Sequence, residues 1–261
     1  TIREREGFRS YYLGFNLNEG PATERPVREA IAACIDVEKA VTDLVEPLGE
    51  RRYSILPRSV SEAWGFPVEE WRDMAVAKNT ERAARLFSEA NEAGGEIRIL
   101  TPPDPKHKEL AETLARGIRD AGHGALVTEK PWKKYLDAAV SGSSSSYSVF
   151  VGEVAGGPDP DTVLYPTFHE NAEGLTNGIF YHDEAVMEQL TAARRTTDHA
   201  TRRDRYESVS RSLLEDRVYV PLCSLKNSFA HSDAVGGFEV HPIAQSNPRL
   251  VRPSGTVRVD T

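Results

Sequence analysis

The pattern of apolar and polar residues over positions 11–36 predicts an extended strand, a proline-containing turn and then a helix. Five apolar residues follow the i, i+3, i+4, i+7, i+8 spacing of one buried helical face: Val27, Ala30, Ile31, Cys34 and Ile35. Pro26 suits the first turn of this helix, because its missing N–H would be unpaired there in any case. Asp36 can accept backbone N–H groups, so we predict that it caps a second helix over residues 37–45.

Residues 46–79 show no regular period and are rich in proline, tryptophan and charge, so they predict irregular structure. Asn79 then resembles the N-cap of a helix that we expect to end at Gly94 and Gly95.

A strand–helix–strand unit follows. Residues 96–101 alternate apolar and polar positions, and residues 125–129 form a second strand-like run. Between them, four apolar residues make a helical stripe that Gly122 ends: Leu110, Ala111, Leu114 and Ile118. Such a unit implies parallel strands joined by a right-handed crossover.

The rest of the chain predicts more helices and strands before an irregular tail. These are, in order, a helix over 131–140, a serine-rich surface loop over 141–146, a strand over 148–153, helices near 183–196 and 200–215 capped by Asp183 and Asp198, and a strand over 218–224.

Composition excludes some classes of function. The 261 residues carry 40 acids against 32 bases, a net charge of −8, which argues against a nucleic-acid partner. No run of about 18 apolar residues and no secretory signal pattern is present. Cys34 and Cys223, the two cysteines, fall in apolar patterns and suggest buried thiols, although a disulfide between them stays open.

Several sequence fragments, in order, resemble the family 5 extracellular solute-binding proteins of ABC transporters, the peptide and nickel receptors. The first fragment is carried by Phe15, Asn16, Pro21, Val27, Arg28, Ala30 and Cys34-Ile35-Asp36. The later ones are carried by Ala84, Leu86, Glu89 and Ala90, by Asp159-Pro160-Asp161, and by Asp198, Arg202, Tyr206, Leu213 and Pro221-Leu222.

The resemblance implies an α/β fold, a type II periplasmic-binding-protein-like lobe with a mixed sheet flanked by helices. In relatives the first fragment lies near the middle of a protein about twice this long, so we expect an incomplete two-lobed receptor whose N-terminal half is absent. Residues 1–18 would form a strand near the hinge, 19–217 the C-terminal ligand-binding lobe, and 218–261 return strands and a tail toward the other lobe.

By the same resemblance, the full protein would be the extracytoplasmic component of an ABC importer, in the periplasm or at the cell surface. It would capture a small solute (an oligopeptide, dipeptide, nickel chelate or oligosaccharide) and deliver it to the permease subunits. Membrane contact would come only through a lipid anchor or that permease, and we expect no cofactor and no catalysis. Residues 1–261 alone would bind weakly. The alternatives are a hydrolase using Glu153, Asp159 or Asp161, and a peptide-sensing receptor that does not transport.

The segment before the Asp159-Pro160-Asp161 turn lines the cleft in relatives, which makes Glu153, Val154, Gly156, Gly157 and Asp159 candidate ligand-binding residues. Gly156 stands where peptide-binding members have an aspartate for the ligand's ammonium group. Glu153 or Asp161 could replace that aspartate. If a buried Glu153 without another partner does so, Glu153→Gln would weaken binding of a cationic ligand. The simpler interpretation is an exposed residue at a strand end.

His107 falls in a loop that leads into a helix. Some oligopeptide-binding relatives use a histidine here for the carboxyl end of the ligand, and a helix N-terminus favours an anion. The alternative is an exposed histidine in a lysine-rich turn.

Other candidate sites have simpler interpretations. The seven histidines lack metal-ligand spacing, and no nucleophile elbow or phosphate loop is present. Asp159 and Asp161 suit a turn and a helix cap better than a catalytic pair. Four aromatic residues could stack on a ligand or fill the core: Trp132, Tyr147, Tyr165 and Phe168.

Overall fold

A mixed sheet of six strands forms the middle layer of the fold in a computed structural model, which describes residues 1–90, 95–241, 243, 252 and 253. The strands are β1 (Ile2–Phe15), β2 (Gly49–Arg51), β3 (Ile97–Thr101), β4 (Ala125–Glu129), β5 (Val149–Ala155) and β6 (Tyr219–Ala230). They lie side by side in the order β2-β6-β1-β5-β3-β4. β3 runs parallel to β4 and β5, whereas β1 is antiparallel to β5 and β6, and β2 is antiparallel to β6. The mixed sheet and the predicted parallel pair are confirmed.

Helices cover both faces of this sheet. They are α1 (Arg25–Ala33), α2 (Val37–Leu44), α3 (Arg58–Trp64), α4 (Thr80–Glu89), α5 (Pro105–Asp120), α6 (Trp132–Ala139), α7 (Asp161–Phe168), α8 (Glu184–Arg195) and α9 (His199–Glu215). Short 3₁₀ helices occupy Pro21–Thr23, Val68–Met74 and Glu170–Ala172, and strands β7 (Val235–Gly236) and β8 (Arg252–Pro253) pair separately from the main sheet.

The central strands are buried on both faces, so each supplies side chains to two cores. Along β1, Leu13 and Phe15 pack into the core under α1, α2, α4 and α5, whereas Tyr12 packs into the core that includes α6 to α9. Val151 and Phe150 divide in the same way along β5. This division follows from the period of two in a strand, because successive side chains point to opposite faces.

The predicted helix caps are confirmed. Asp36, Asn79, Asp183 and Asp198 each accept the N–H of the residue three positions later, at 2.8–3.0 Å. Each such cap stabilises a helix by about 1 kcal/mol, because it satisfies a donor that has no partner within the helix.

Several predicted boundaries are wrong. Residues 46–79 are not irregular: they contain β2, α3 and the 3₁₀ helix at Val68–Met74. Helix α4 ends at Glu89 rather than at the glycine pair, of which Gly94 lies outside the described residues. α1 ends at Ala33, so Cys34 and Ile35 are buried just beyond it. β6 runs on to Ala230, because its residues pair with β1 as far as Ile2.

Both cysteines are buried and free. Burial raises the pKa of the Cys34 thiol and of the Cys223 thiol to about 12, since a thiolate loses its hydration there. They are core thiols in the described structure, as the apolar patterns suggested.

Candidate functional site

A pocket opens where β5 continues past the end of its neighbour. β3 and β5 pair only at Ile99 with Val149 and Leu100 with Phe150, whereas β5 runs on to Ala155. Within the described residues, no strand pairs with the β3-facing edge of β5 beyond Phe150. The pocket beside this edge has a volume of about 380 Å³. A parallel sheet often binds ligands at the carboxyl ends of its strands, and this pocket lies at such an end.

The walls of the pocket are largely apolar. Its main apolar lining residues are Tyr12, Trp132, Leu136, Phe150, Val154 and Leu175. Trp132 and Leu136 lie four residues apart on α6 and remain about half exposed, at 49% and 54%, and Leu175 is 77% exposed. Exposed large apolar side chains around a pocket are typical of a surface that becomes covered by a ligand or a partner.

Gly152 lines the pocket and cannot carry a side chain without rearrangement. A Cβ placed there would lie 2.8 Å from ring atoms of both Phe150 and Tyr12. Those two rings pack edge to face, with centroids 5.7 Å apart. The glycine therefore gives two aromatic rings the room they occupy beside the pocket.

Four of the hydroxyl groups that line the pocket already have acceptors. Tyr135 Oη donates to the carbonyl of Val151 at 2.8 Å, and Thr167 Oγ1 donates to that of Val163 at 2.6 Å. Thr162 and Thr176 donate in the same way to main-chain carbonyls. These four hydroxyl groups are therefore not free to donate to a ligand, whereas the buried Nε2 of His107 makes no hydrogen bond to any described residue.

Three of the six predicted site residues line this pocket: His107, Glu153 and Val154. The other three lie in the turn that follows β5 and are not among its lining residues. In that turn, the N–H of Gly157 donates to Thr162 Oγ1 at 2.8 Å, and a Cβ on Gly156 would lie 2.7 Å from Val163 Cγ2. The structure thus gives Gly156 and Gly157 a role in shaping the turn.

Glu153 is neither an exposed strand-end residue nor a buried carboxylate without a partner. Its side chain is 20% exposed, and Arg9 on β1 donates to both of its oxygens, at 2.5 and 3.0 Å. These hydrogen bonds raise the pKa of Arg9 above its ordinary value. Sequence reasoning missed Arg9, because only the register of β1 against β5 brings the two residues together.

His107 is buried, so the interpretation as an exposed histidine is wrong. Its Nδ1 lies 2.9 Å from Asp104 Oδ1, and its ring packs on Tyr11 with centroids 4.4 Å apart. Asp104 also caps α5, accepting the N–H groups of Lys106 and His107. Burial of Asp104 opposes its ionisation, but these hydrogen bonds outweigh it and lower the pKa of the carboxyl. The anion that the helix N-terminus favours is therefore a residue of the protein itself.

The two aspartates of the Asp-Pro-Asp turn are held by ion pairs away from the pocket. Asp159 accepts from Arg202 and from the N–H of Asp161, the latter at 3.0 Å. Asp161 lies 3.2 Å from Arg194 Nε and accepts from Tyr206 Oη at 3.1 Å. The predicted turn is confirmed, but the predicted helix cap is wrong: the N-cap of α7 is Pro160, no side chain caps the helix, and Asp161 lies in its first turn.

Of the four aromatic candidates, Trp132 lines the pocket. Tyr147 and Phe168 are buried in the core, and Tyr165 packs under the guanidinium of Arg194. Trp132 could have been singled out from sequence, because the apolar stripe of α6 also contains Tyr135, Leu136 and Ala139, and is wider than one buried face requires.

The described residues contain no group of three or more His, Cys, Asp or Glu side chains that could hold a metal ion. Among the same residues, no helix is both long and apolar enough to span a bilayer.

Comparison with known sequences gives a family. Residues 1–174 match the family described as bacterial extracellular solute-binding proteins, family 5 Middle. The chain is 21% identical to the dipeptide-binding protein of Pseudomonas aeruginosa, over 94% of this chain and 46% of that protein. It is 25% identical to protein XP55 of Streptomyces lividans, over 90% of this chain and 44% of that protein. The chain spans about half the length of the curated relatives it matches.

Comparison with solved structures gives the fold. The chain superposes with a TM-score of 0.82 on a dipeptide-binding protein from Pseudoalteromonas sp. SM9913 in complex with Met-Leu, at 21% identity, covering 97% of this chain and 50% of that one. It superposes with a TM-score of 0.78 on the periplasmic binding protein DppA of Helicobacter pylori in complex with the peptide STSA, at 20% identity, covering 97% and 48%. The predicted periplasmic-binding-protein-like fold is confirmed.

Proposed function

The chain belongs to the family 5 bacterial extracellular solute-binding proteins, and from this premise we propose that it forms one side of the solute cleft of an extracytoplasmic receptor. The observation that carries the proposal is the apolar pocket beside the unpaired edge of β5. Such an edge can accept an extended main chain by hydrogen bonds, while a neighbouring pocket receives a side chain. A peptide-like solute meets both requirements.

The solute would bind with its extended part along β5 and one group in the pocket lined by Trp132, Leu136 and Leu175. Burial of these exposed apolar side chains supplies affinity. His107, Glu153 and Val154 lie beside the solute in this proposal, and Gly156, Gly157 and Asp159 hold the turn at its end. Relatives with names as dipeptide-, tripeptide- and oligopeptide-binding proteins support a peptide over a nickel chelate or an oligosaccharide.

The remainder of the receptor would close over the pocket. The start of β1 and the end of β6 pair with each other from Ile2 with Ala230 to Glu6 with Lys226, beyond the pairing of β1 with β5. We propose that this two-stranded extension leads to the hinge and the other lobe. Hinged closure would desolvate the solute from both sides and create the surface that an ABC permease recognises.

The proposal contains no chemical step. The aspartates of the hydrolase alternative are engaged, Asp159 by Arg202 and Asp161 by Arg194 and Tyr206, and neither lines the pocket. Glu153 is engaged by Arg9. A receptor without catalysis returns its solute unchanged, and this property separates the two classes.

Native mass spectrometry of the full-length protein, purified gently and then incubated with a defined pool of di- and tripeptides, tests the function. We expect a complex of one protein with one peptide, and recovery of the peptide at its original mass after denaturation. Recovery of cleaved peptide would identify an enzyme. Absence of any peptide complex, with an oligosaccharide or a nickel chelate bound instead, would overturn the assignment of the solute.

A further inference from the structure

The ion pair between Arg9 and Glu153 lies at the edge of the pocket and affects which charges on a solute the pocket accepts. We propose that Arg9 determines which solute group this pocket selects. Because Arg9 forms an ion pair with Glu153, the pocket accepts a neutral apolar group of the solute and disfavours a cationic one. This inference rests on the proposed function and names the class of solute group that the pocket takes.

Glu153 is the one acidic residue among the described residues that line the pocket, and none of them is Lys or Arg. Both of its carboxylate oxygens accept hydrogen bonds from Arg9, through Nε and Nη2. The guanidinium thus takes the position that a cationic ligand group would otherwise fill. Arg9 itself is 40% exposed and is not a lining residue, so it acts on the pocket through Glu153.

The register of the strands fixes this arrangement. Arg9 pairs with Ala155, and Tyr11 pairs with Glu153, in the antiparallel ladder between β1 and β5. Arg9 and Glu153 are therefore diagonal neighbours on one face of the sheet, at a separation that a long side chain can span. The nearby carboxylate of Asp104 lies against His107, and Arg9 is paired with Glu153.

The consequences for a solute depend on its charge. A cationic group would meet a carboxylate that already accepts two hydrogen bonds from Arg9. It would lie beside that second cation and would lose its own hydration on entry. An apolar group would lose no hydrogen bonds and would cover Trp132 and Leu136. The space is sufficient, because a cavity of about 150 Å³ already accepts benzene and this pocket has about 380 Å³.

Replacing Arg9 and replacing Glu153 should shift the charge preference of the pocket in opposite directions. Arg9→Gln leaves the carboxylate without its cation, so a cationic group on the solute can take that place. Glu153→Gln leaves the guanidinium without its anion, so an anionic group gains affinity. Replacing a residue that has only a structural role would lower the affinity for all solutes alike and would not produce this reciprocal change.

The experiment uses the full-length protein and calorimetric titration with alanine-based tripeptides that carry Phe, Lys or Glu at position one, two or three. At one position, wild-type protein should bind the Phe peptide about tenfold or more tightly than the Lys peptide. Arg9→Gln should reduce that ratio about tenfold, and Glu153→Gln should raise the affinity for the Glu peptide at the same position. Arg3→Gln, an exposed arginine near the start of β1, serves as the matched control and should leave all ratios unchanged.

The outcomes separate this inference from the function on which it rests. Binding of the tripeptides with equal affinity for Phe and Lys at every position overturns the inference and leaves the receptor function intact. Loss of affinity for all peptides alike in Arg9→Gln, with an unchanged Phe-to-Lys ratio, also overturns it. If the wild-type protein binds none of the tripeptides, the proposed peptide function fails and the inference fails with it.

Discussion

Arg202 on α9 donates hydrogen bonds to both carboxylate oxygens of Asp159, at 2.9 Å through Nη2 and 2.8 Å through Nη1. The same guanidinium also donates to the carbonyl of Ala193 and to Tyr206 Oη. The turn after β5 is thereby fixed to α8 and α9. Asp159 and Arg202 belong to two separate sequence fragments that resemble the family, and the structure brings them into contact with each other.

Replacing Arg202 should destabilise the protein and loosen this turn. For Arg202→Gln we expect a loss of about 1 kcal/mol in the free energy of unfolding, since the pair is bidentate but partly exposed. Urea unfolding measures it. Arg211→Gln on the same helix is the control, because Arg211 makes a 3.8 Å contact with Glu207 and should cost little. Equal effects of the two variants would contradict the anchoring role.

Replacing Arg28 by lysine should lower the free energy of unfolding more than the same replacement at Arg25. Arg28 is buried, and its guanidinium donates to the carbonyls of Ala22, Thr23, Asp216 and Arg217. Lysine lacks the planar fork, so Arg28→Lys should leave acceptors unpaired and cost roughly 2–4 kcal/mol.

Arg25→Lys is the control for that substitution. Arg25 makes one exposed hydrogen bond, to the carbonyl of Glu215, so we expect a loss below about 0.5 kcal/mol. Thermal unfolding of both variants provides the comparison, and a similar melting temperature for the two would show that the four carbonyl contacts contribute little.

Gly117 should tolerate no side chain. A Cβ at this position in α5 would lie 1.8 Å from the carbonyl oxygen of Cys34, a main-chain atom that cannot rotate away. Gly117→Ala should therefore destabilise the protein by roughly 1–3 kcal/mol or more. At Gly124 the nearest atoms to such a Cβ are 3.7 Å away, so Gly124→Ala should be close to neutral. Denaturant unfolding that ranks the two variants in the opposite order would contradict the close contact between α5 and the main chain of Cys34.

His169 should make stability depend on pH near neutrality. Its Nδ1 accepts the N–H of Asn171 and its Nε2 lies 3.0 Å from Thr191 Oγ1, so the neutral ring is the form that fits. Burial is the main cause that lowers the pKa of His169 below its ordinary value.

The unfolded chain therefore binds a proton at His169 before the folded protein does. As the pH falls below about 6.5, the ordinary value, the free energy of unfolding should decrease, by at most about 1.4 kcal/mol per pH unit from this group. His169→Gln should flatten the curve between pH 7 and pH 5. A wild-type curve that is already flat there, or an unchanged slope in the variant, would contradict the assignment.

Much of the fold follows from sequence because its signals are local. Asp36, Asn79, Asp183 and Asp198 were predictable as caps, since a cap depends on the next three residues. β2, in contrast, has three residues and exists because it pairs with β6, which no local pattern indicates.

The candidate site was less predictable for the same reason. His107 and Glu153 could be singled out, but their partners could be only partly foreseen: Asp104 lies three residues from His107, whereas Arg9 lies 144 residues from Glu153. The width of the apolar stripe on α6 was a usable signal for Trp132 and Leu136. No sequence signal indicated Leu175, because it lies in a loop and its exposure depends on the packing around it.

The most direct test of the central claim is hydrogen–deuterium exchange of the full-length protein with and without a saturating tripeptide whose binding has been measured. We expect slower exchange in peptic fragments that contain residues 149–155, because a solute on the open edge of β5 protects its amides. Fragments from α4 (Thr80–Glu89) serve as the reference and should not change. Measured binding without protection of 149–155 would contradict the site.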